Sequence, residues 1–286
     1  MIAAISDIHA NLEALRVVMD RIRECSAIYC AGDIVGYGPN PNECCELLRE
    51  RGVRVVLGNH DIVCAHYDRL VDTDPARLTP REKLARTTLS QMNSVARQSC
   101  AWTHRVLSDE NLEYLRSLPL VFREGSISVI HGSPGSDYHK LNTYLQEKYE
   151  TLSSQRRAYG MGFTEFCGEL LDEMETMILI VGHTHIPYKG YVYRGARWNW
   201  LPRFLTRENW VINPGAVGQP RRGKEATFAL IKLPLFPYLH PRASFRFLEH
   251  YVQQCAVSYD RRETIRKIDG IEELDEPVRF MLSNWF

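Results

Sequence analysis

The apolar runs in the first two thirds of this chain keep ending on the same kind of residue. Ile2 to Ile5 runs into Ser6-Asp7-Ile8-His9, Ala27 to Cys30 into Gly32-Asp33, and Val53 to Leu57 into Gly58-Asn59-His60-Asp61. Further on, Ile127 to Ile130 meets His131-Gly132, and Met177 to Val181 meets Gly182-His183-Thr184-His185. Short apolar runs bounded by Gly and Asp read as buried strands. A helical stripe of Leu12, Leu15, Val18, Met19 and Ile22 follows the first run, with Asn11 as its N-cap. Another helix fits Glu43 to Arg51, after the turn-rich Gly36 to Pro41. Strand, loop and helix in alternation imply an α/β fold with parallel pairing. In such sheets ligands bind beyond the carboxyl ends of the strands. Five strand ends therefore deliver Asp, Asn and His side chains to one edge.

The rest of the chain constrains less. Residues 66–118 read as polar-faced helices, broken early by Pro75 and Pro80, and 143–176 as helical or irregular. Tyr188 to Arg207 is dense in aromatics and arginines, and its alternation fits a strand pair. Trp210 to Ile212, Ala226 to Ile231 and Ser244 to Leu248 read as strands, and the tail from Asp260 as helix. No composition shift marks a linker, so 1–286 is expected to form a single domain. It would carry a helical insertion at about 66–118 and an Arg/aromatic extension at about 190–209.

Eight cysteines without a Cys-x-x-Cys pair argue against a zinc ribbon or a dithiol redox motif. Cys25 and Cys30 read as small buried hydrophobes. The formal net charge of zero weighs against a duplex nucleic-acid binder. The start, MIAAISDIHAN, has no basic region and meets an acid too early for a signal peptide. No apolar stretch approaches the ~18 residues of a membrane span. A reduced, cytoplasmic protein with no membrane partner is the expectation.

Taken singly, Asp33 reads equally well as a turn residue and His131 as a core residue. Taken together, Asp7, His9, Asp33, Asn59, His131, His183 and His185 read as a metal site. Imidazole with carboxylate suits Mn, Fe, Zn or Co, whereas an all-oxygen set would suit Mg or Ca. Asp-x-His and His-x-His each turn two side chains to one side by the period of two of an extended chain. Two divalent ions bring four positive charges and the two aspartates return two, so the site would keep about +2 and attract a phosphate. His60 is not needed as a ligand and is the candidate general acid, with Asp61 beside it to orient the ring.

The runs SDIHAN, GDIVGYGPNP, GNHD, HGSP, GHTH and NPGAVGQPR resemble those of the calcineurin-like metallophosphoesterases. They are most similar to the compact bacterial and archaeal group that includes small phosphodiesterases and dinucleoside-polyphosphate hydrolases. The motifs span Asp7 to Arg221 in the family's order, and together they are specific where each alone is weak. The resemblance implies a two-sheet mixed β sandwich flanked by helices, with the site at one sheet edge. It implies one metal held by Asp7, His9, Asp33 and His185, and a second held by Asp33, Asn59, His131 and His183. Mn or Fe is favoured, with Zn, Co or Ni as alternatives. It implies hydrolysis of a phosphoester or phosphoanhydride by a metal-bridging hydroxide, with His60 as the acid. Ala10 departs from the family's pattern, where Gly is common; Ala keeps the ligands but can crowd the backbone.

Tyr37 is a candidate for lining the substrate mouth, and Arg221 and Arg222 for gripping a phosphate. Asn213-Pro214-Gly215 reads as a turn that also shapes the site. The expected partner is a phosphorylated small molecule or nucleotide. The Arg/aromatic segment keeps a single-strand nuclease in view. A non-catalytic interaction scaffold is the rival from another class, opposed by the full ligand set and His60. Oligomeric state is open.

Overall fold

The computed structural model describes residues 1–132, 167–168, 170–172, 174–194, 207–221, 223–232 and 252–286. The chain begins β1 (Ile2–Ile5), α1 (Leu12–Arg21), β2 (Ala27–Cys30), α2 (Pro41–Glu50) and β3 (Arg54–Val55). Four helices follow: α3 (Asn59–Asp72), α4 (Pro80–Gln91), α5 (Ser94–Val106) and α6 (Asp109–Ser117). The strands β4 (Val121–Glu124), β5 (Ile127–Ile130), β6 (Ile178–Ile180), β7 (Tyr188–Arg194), β8 (Arg207–Asn213), β9 (Ala226–Ile231) and β10 (Val252–Val257) come next. Helices α7 (Arg261–Asp269) and α8 (Glu276–Trp285) close the chain.

The strands form two five-stranded mixed sheets, ordered β10-β9-β1-β2-β3 and β4-β5-β6-β8-β7. Strands β1, β2 and β3 run parallel, as do β5, β6 and β8. The alternation of side chains along a strand builds two cores at once. Ile2 and Ala4 of β1 face the second sheet and pack with Val129, Ile180 and Ile212. Ala3 and Ile5 face the other way, into helix residues such as Leu15, Met19 and Ile62. Strands buried on both faces read as continuous apolar runs, the pattern seen in β1, β5 and β6.

Several expected elements shift. Helix α3 starts at Asn59 itself, seven residues before the expected helical stretch, with Gly58 at its N-cap. The Asp61 carboxylate accepts from the Gly58 backbone N–H at 2.9 Å and so anchors this first turn. Strand β4, unexpected from the sequence, pairs with β5 across a hairpin with Gly125 at φ 59. The Arg/aromatic stretch does form a strand pair, with Tyr191 opposite Trp210 and Arg194 opposite Arg207; its middle, 195–206, lies outside the described residues. The expected strand at 244–248 also lies outside them, and the edge strand of the first sheet is β10 instead. The helices expected in 143–166 lie outside the described residues. Among the described residues no helix is long and apolar enough to cross a membrane.

All eight cysteines are free. Cys30 is fully buried among apolar neighbours, whereas Cys25 is only half-buried.

Candidate metal centre

Five loops bring the side chains together, each following a parallel strand. The β1 and β2 loops are zipped by backbone hydrogen bonds, Asp7 N–H to Gly32 O at 3.0 Å, Ile8 N–H to Asp33 O at 2.8 Å and Ala10 N–H to Ile34 O at 2.8 Å. Loop 214–219 closes on the first of them through Val217 N–H to Ser6 O and Gly218 N–H to Asp7 O. Gly182 links the β5 and β6 loops of the second sheet by donating to His131 O at 2.8 Å. A Cβ on Gly182 would lie 2.0 Å from Ser6 Oγ, so only glycine lets the loops of the two sheets approach this closely.

The backbone is held out of its relaxed regions here. Eight described non-glycine residues have positive φ, and seven of them belong to these loops: Asp7, His9, Ala10, Asp33, Tyr37, His183 and His185. Each left-handed residue costs of order 1–2 kcal/mol, which the surrounding sheet hydrogen bonds must offset. Ala10, at φ 52 and fully buried, sits where glycine would be relaxed.

Two overlapping groups of ligand atoms result, Asp7, His9, Asp33 and His185 in one and Asp33, His131 and His183 in the other. Asp33 Oδ2 is common to both, 3.7 Å from His9 Nε2 and 3.4 Å from His131 Nε2. Asn59 Oδ1 completes the second group, 2.8 Å from His131 Nε2 and 2.8 Å from His183 Nδ1. In the first group Asp7 Oδ1 lies 3.2 Å from His185 Nε2, and His9 Nε2 lies 3.2 Å from His185 Nε2.

Outer partners fix which ring nitrogens face inward. His9 Nδ1 lies 3.3 Å from Val35 O, His131 Nδ1 2.6 Å from Ala31 O, and His185 Nδ1 2.7 Å from Gln219 O. A ring nitrogen that meets a carbonyl must carry the proton, so in each neutral ring Nε2 presents a lone pair. The lone pairs of His9 and His185 then face each other, and that of His131 faces the Asn59 carbonyl oxygen. Acceptors so crowded in a buried site repel unless a cation lies among them. The donor set thus fits divalent ions of the borderline type.

The charges agree. Burial holds His9 well below the imidazole range and His183 down at about 3, so both stay neutral. Burial would raise the Asp33 carboxyl, but His131 and His60 outweigh it and keep it well below the usual range. Burial works against protonation of His131, yet Asp33 lifts that ring to about 9. In the metal-free protein a proton on His131 stands in for part of the missing positive charge. Asp7 Oδ2 is held by Ser6 Oγ–H at 2.6 Å and Asp33 Oδ1 by the His60 backbone N–H at 2.8 Å.

His60 stands at the edge of this cluster, 5% exposed. Its ring lies 4.9 Å from that of His9 and 4.3 Å from that of Tyr37. Asp61 does not orient it: both carboxylate oxygens are committed elsewhere, to Gly58 N–H and Val35 N–H. Tyr37 is buried, packed on His9, His60 and the half-buried Trp285 of α8 rather than standing free at a mouth. Burial pushes its phenol up, and the Arg221 charge is close enough to oppose that. Arg221 is exposed; Arg222 lies outside the described residues. Asn213 both makes its turn, accepting from Gly215 N–H, and holds the GHTH loop by donating to Gly182 O at 2.8 Å and Thr184 Oγ1 at 3.0 Å.

Some contributors escaped the sequence reading. Ser6 and the Gln219 carbonyl orient ligands, and Asn11 ties the first loop to the last part of the chain. Asn11 donates to Gly218 O and Tyr259 Oη, both at 3.0 Å, and accepts from Thr264 Oγ1 at 3.1 Å. Cys100 of α5 reaches the far side of His60.

Two mixed five-stranded sheets with helices outside and Asp, Asn and His ligands at their shared edge define the metallophosphoesterase fold. Residues 1–234 match the calcineurin-like phosphoesterase superfamily domain, and the chain belongs to that family. It is 34% identical over 226 residues to an uncharacterised protein of Methanocaldococcus jannaschii, covering 78% of each chain. Its structure is similar to that of a metallophosphoesterase from Sphaerobacter thermophilus, with TM-score 0.60 and 27% identity over 100% of this chain and 98% of the other. A hypothetical protein from Pyrococcus horikoshii OT3 shares the fold, with TM-score 0.63 and 21% identity over 99% and 98%.

Proposed function

We propose that the protein hydrolyses a phosphodiester, or the anhydride of a dinucleoside polyphosphate, with two metal ions. One would be held by Asp7, His9, Asp33 and His185, the other by Asp33, Asn59, His131 and His183, with Mn or Fe favoured. The observation that carries this reading is the inward-facing set of lone pairs around Asp33 Oδ2, fixed by carbonyls behind the rings. When bound, a pair of divalent ions supplies Lewis acidity and positive charge for a phosphoryl group. The residues do the rest. Asp33 keeps its charge at every ordinary pH and serves both ligand sets. The carbonyls of Val35, Ala31 and Gln219 keep the imidazoles in register. His60, beside His9 but outside both ligand groups, protonates the leaving alkoxide. Arg221, exposed in the loop after Gln219, meets a substrate oxygen.

The test compares a bis-aryl phosphodiester with an aryl monoester, with Mn²⁺ and with chelator. Metal-dependent turnover that favours the diester is the expected result. Inactivity towards both, in protein that holds two ions per chain, would leave the scaffold reading standing.

A further inference from the structure

A general acid needs its ring held so that one nitrogen meets the leaving group while the other is occupied. His60 has no carboxylate to do this. Asp61 is spent on the α3 N-terminus and on Val35 N–H. In the loop after Asp33, Gly36, at φ 85, sits so close that a Cβ there would be 2.6 Å from His60 Nδ1. Tyr37 and His9 pack on the ring by their faces and edges and give it no hydrogen bond.

The partner of Nδ1 comes from another helix. Cys100 Sγ, on α5, lies 3.5 Å from His60 Nδ1 in a fully buried contact. Cys64, one turn beyond His60 on α3, hydrogen-bonds Cys100 in turn, and Met92 Sδ lies 4.0 Å from it. We propose that Cys100 is the positioning residue of His60, occupying Nδ1 so that Nε2 faces the leaving group. This rests on the reading of His60 as general acid. In the neutral ring the Cys100 thiol donates to Nδ1 and the ring proton sits on Nε2. In the doubly protonated ring Nδ1–H donates to sulfur and Nε2–H is again available. Transfer from Nε2 of the doubly protonated ring leaves Nδ1–H donating to the Cys100 sulfur, and this bond holds the ring in place for reprotonation at Nε2.

The experiment uses the metal-loaded enzyme and the variants Cys100→Ala, Cys100→Ser, Cys64→Ala and His60→Ala. Turnover is measured on phosphodiesters whose leaving groups range from p-nitrophenol to simple alcohols. Long-range ¹H–¹⁵N correlation spectra of the zinc-loaded protein read the His60 tautomer directly. The expected wild-type spectrum has His60 Nδ1 hydrogen-bonded, with a shift that moves in Cys100→Ala. Cys100→Ala is expected to lower kcat on alkyl leaving groups by ~10- to 100-fold, part of what a general acid supplies. KM, metal content and p-nitrophenyl turnover should hold, and Cys100→Ser should restore most of the loss. A His60 Nδ1 shift that does not move in Cys100→Ala would overturn the proposal, whatever turnover does. So would Cys100→Ala with unchanged alkyl-ester turnover in a background where His60→Ala loses it. Unchanged turnover in His60→Ala itself would remove the acid reading on which the proposal stands.

Discussion

His131 and Asp33 show how far a buried site can depart from the behaviour of free side chains. Asp33 lifts the His131 ring to about 9, against the effect of burial, so the metal-free protein holds a proton there at neutral pH. An ion taking His131 Nε2 must displace that proton. Metal binding at pH 7 should therefore release about one proton through this ring. Calorimetric titrations in two buffers of different ionisation heat would measure it, and buffer-independent heats would contradict it. The sign for stability follows as well. With the folded value above the ordinary 6.5, the proton's contribution is complete below about 6.5 and is lost as pH rises through about 9. Asp33→Asn removes charge from the oxygen shared by both groups, so metal content should fall by at least one ion per chain and turnover by more than ~100-fold. Elemental analysis showing two ions in that variant would end the bridging assignment. The ligands could be read in the sequence because each follows its own strand by a few residues. Cys100 could not, because its contact with His60 joins positions 40 apart on separate helices. Nor does spacing reveal that Asp61 caps a helix instead of steering the residue before it.

Among the elements, those with strong periodicity or full burial were legible and those at edges were not. Strands β1, β5 and β6 are buried throughout. Strand β10 reads VQQCAV with only its two ends buried, and the exposed β4 reads VFRE; neither carries an apolar pattern. Both are placed by backbone pairing to a neighbour, a cause that local sequence does not record. Helix α4 corrects the reading of Pro80 as a break: Pro80 opens the helix, behind a capping box of Thr79 and Glu82. Glu82 accepts from Thr79 N–H at 2.8 Å and from Arg69 Nε at 3.1 Å, and the Glu82 N–H donates to Thr79 Oγ1. The backbone bond, helped by Arg69, brings the Glu82 carboxyl down to about 2. Its folded value is below the unfolded one, so this stabilisation is present above about 4.5 and is lost as pH falls through about 2. Glu82→Gln should cost ~1 kcal/mol at pH 7, the worth of a capping contact. It should also flatten the loss of stability between pH 5 and pH 2. Urea midpoints across that range would decide, and parallel curves for the two proteins would refute the assignment.

On the scale of the whole molecule, the site belongs to neither sheet alone. Asp7, His9, Asp33 and Asn59 follow strands of the first sheet, and His131, His183 and His185 follow strands of the second. Bound ions would fasten the two edges together. At a free metal concentration 100 times the dissociation constant the gain is about 2.7 kcal/mol per ion. Chelation should accordingly lower Tm by several degrees and speed amide exchange in the loops of both sheets. A loss confined to one sheet would argue against a shared centre. The segment beyond the family match is tied into this same edge. Strand β10 pairs along all of β9, and Thr264 and Tyr259 hold Asn11, while Lys267 donates to Glu13 Oε1 and Asn40 Oδ1. The boundary by which relatives are recognised, residue 234, is thus not the boundary of the folding unit. Beyond its apolar packing on Tyr37, Val95 and Trp102, the tail is constrained where a hydroxyl or ammonium answers the asparagines of the ligand loops. Among relatives with divergent tails, residues aligned with Asn11 should covary with those aligned with Tyr259 and Thr264, while the exposed tail positions change freely.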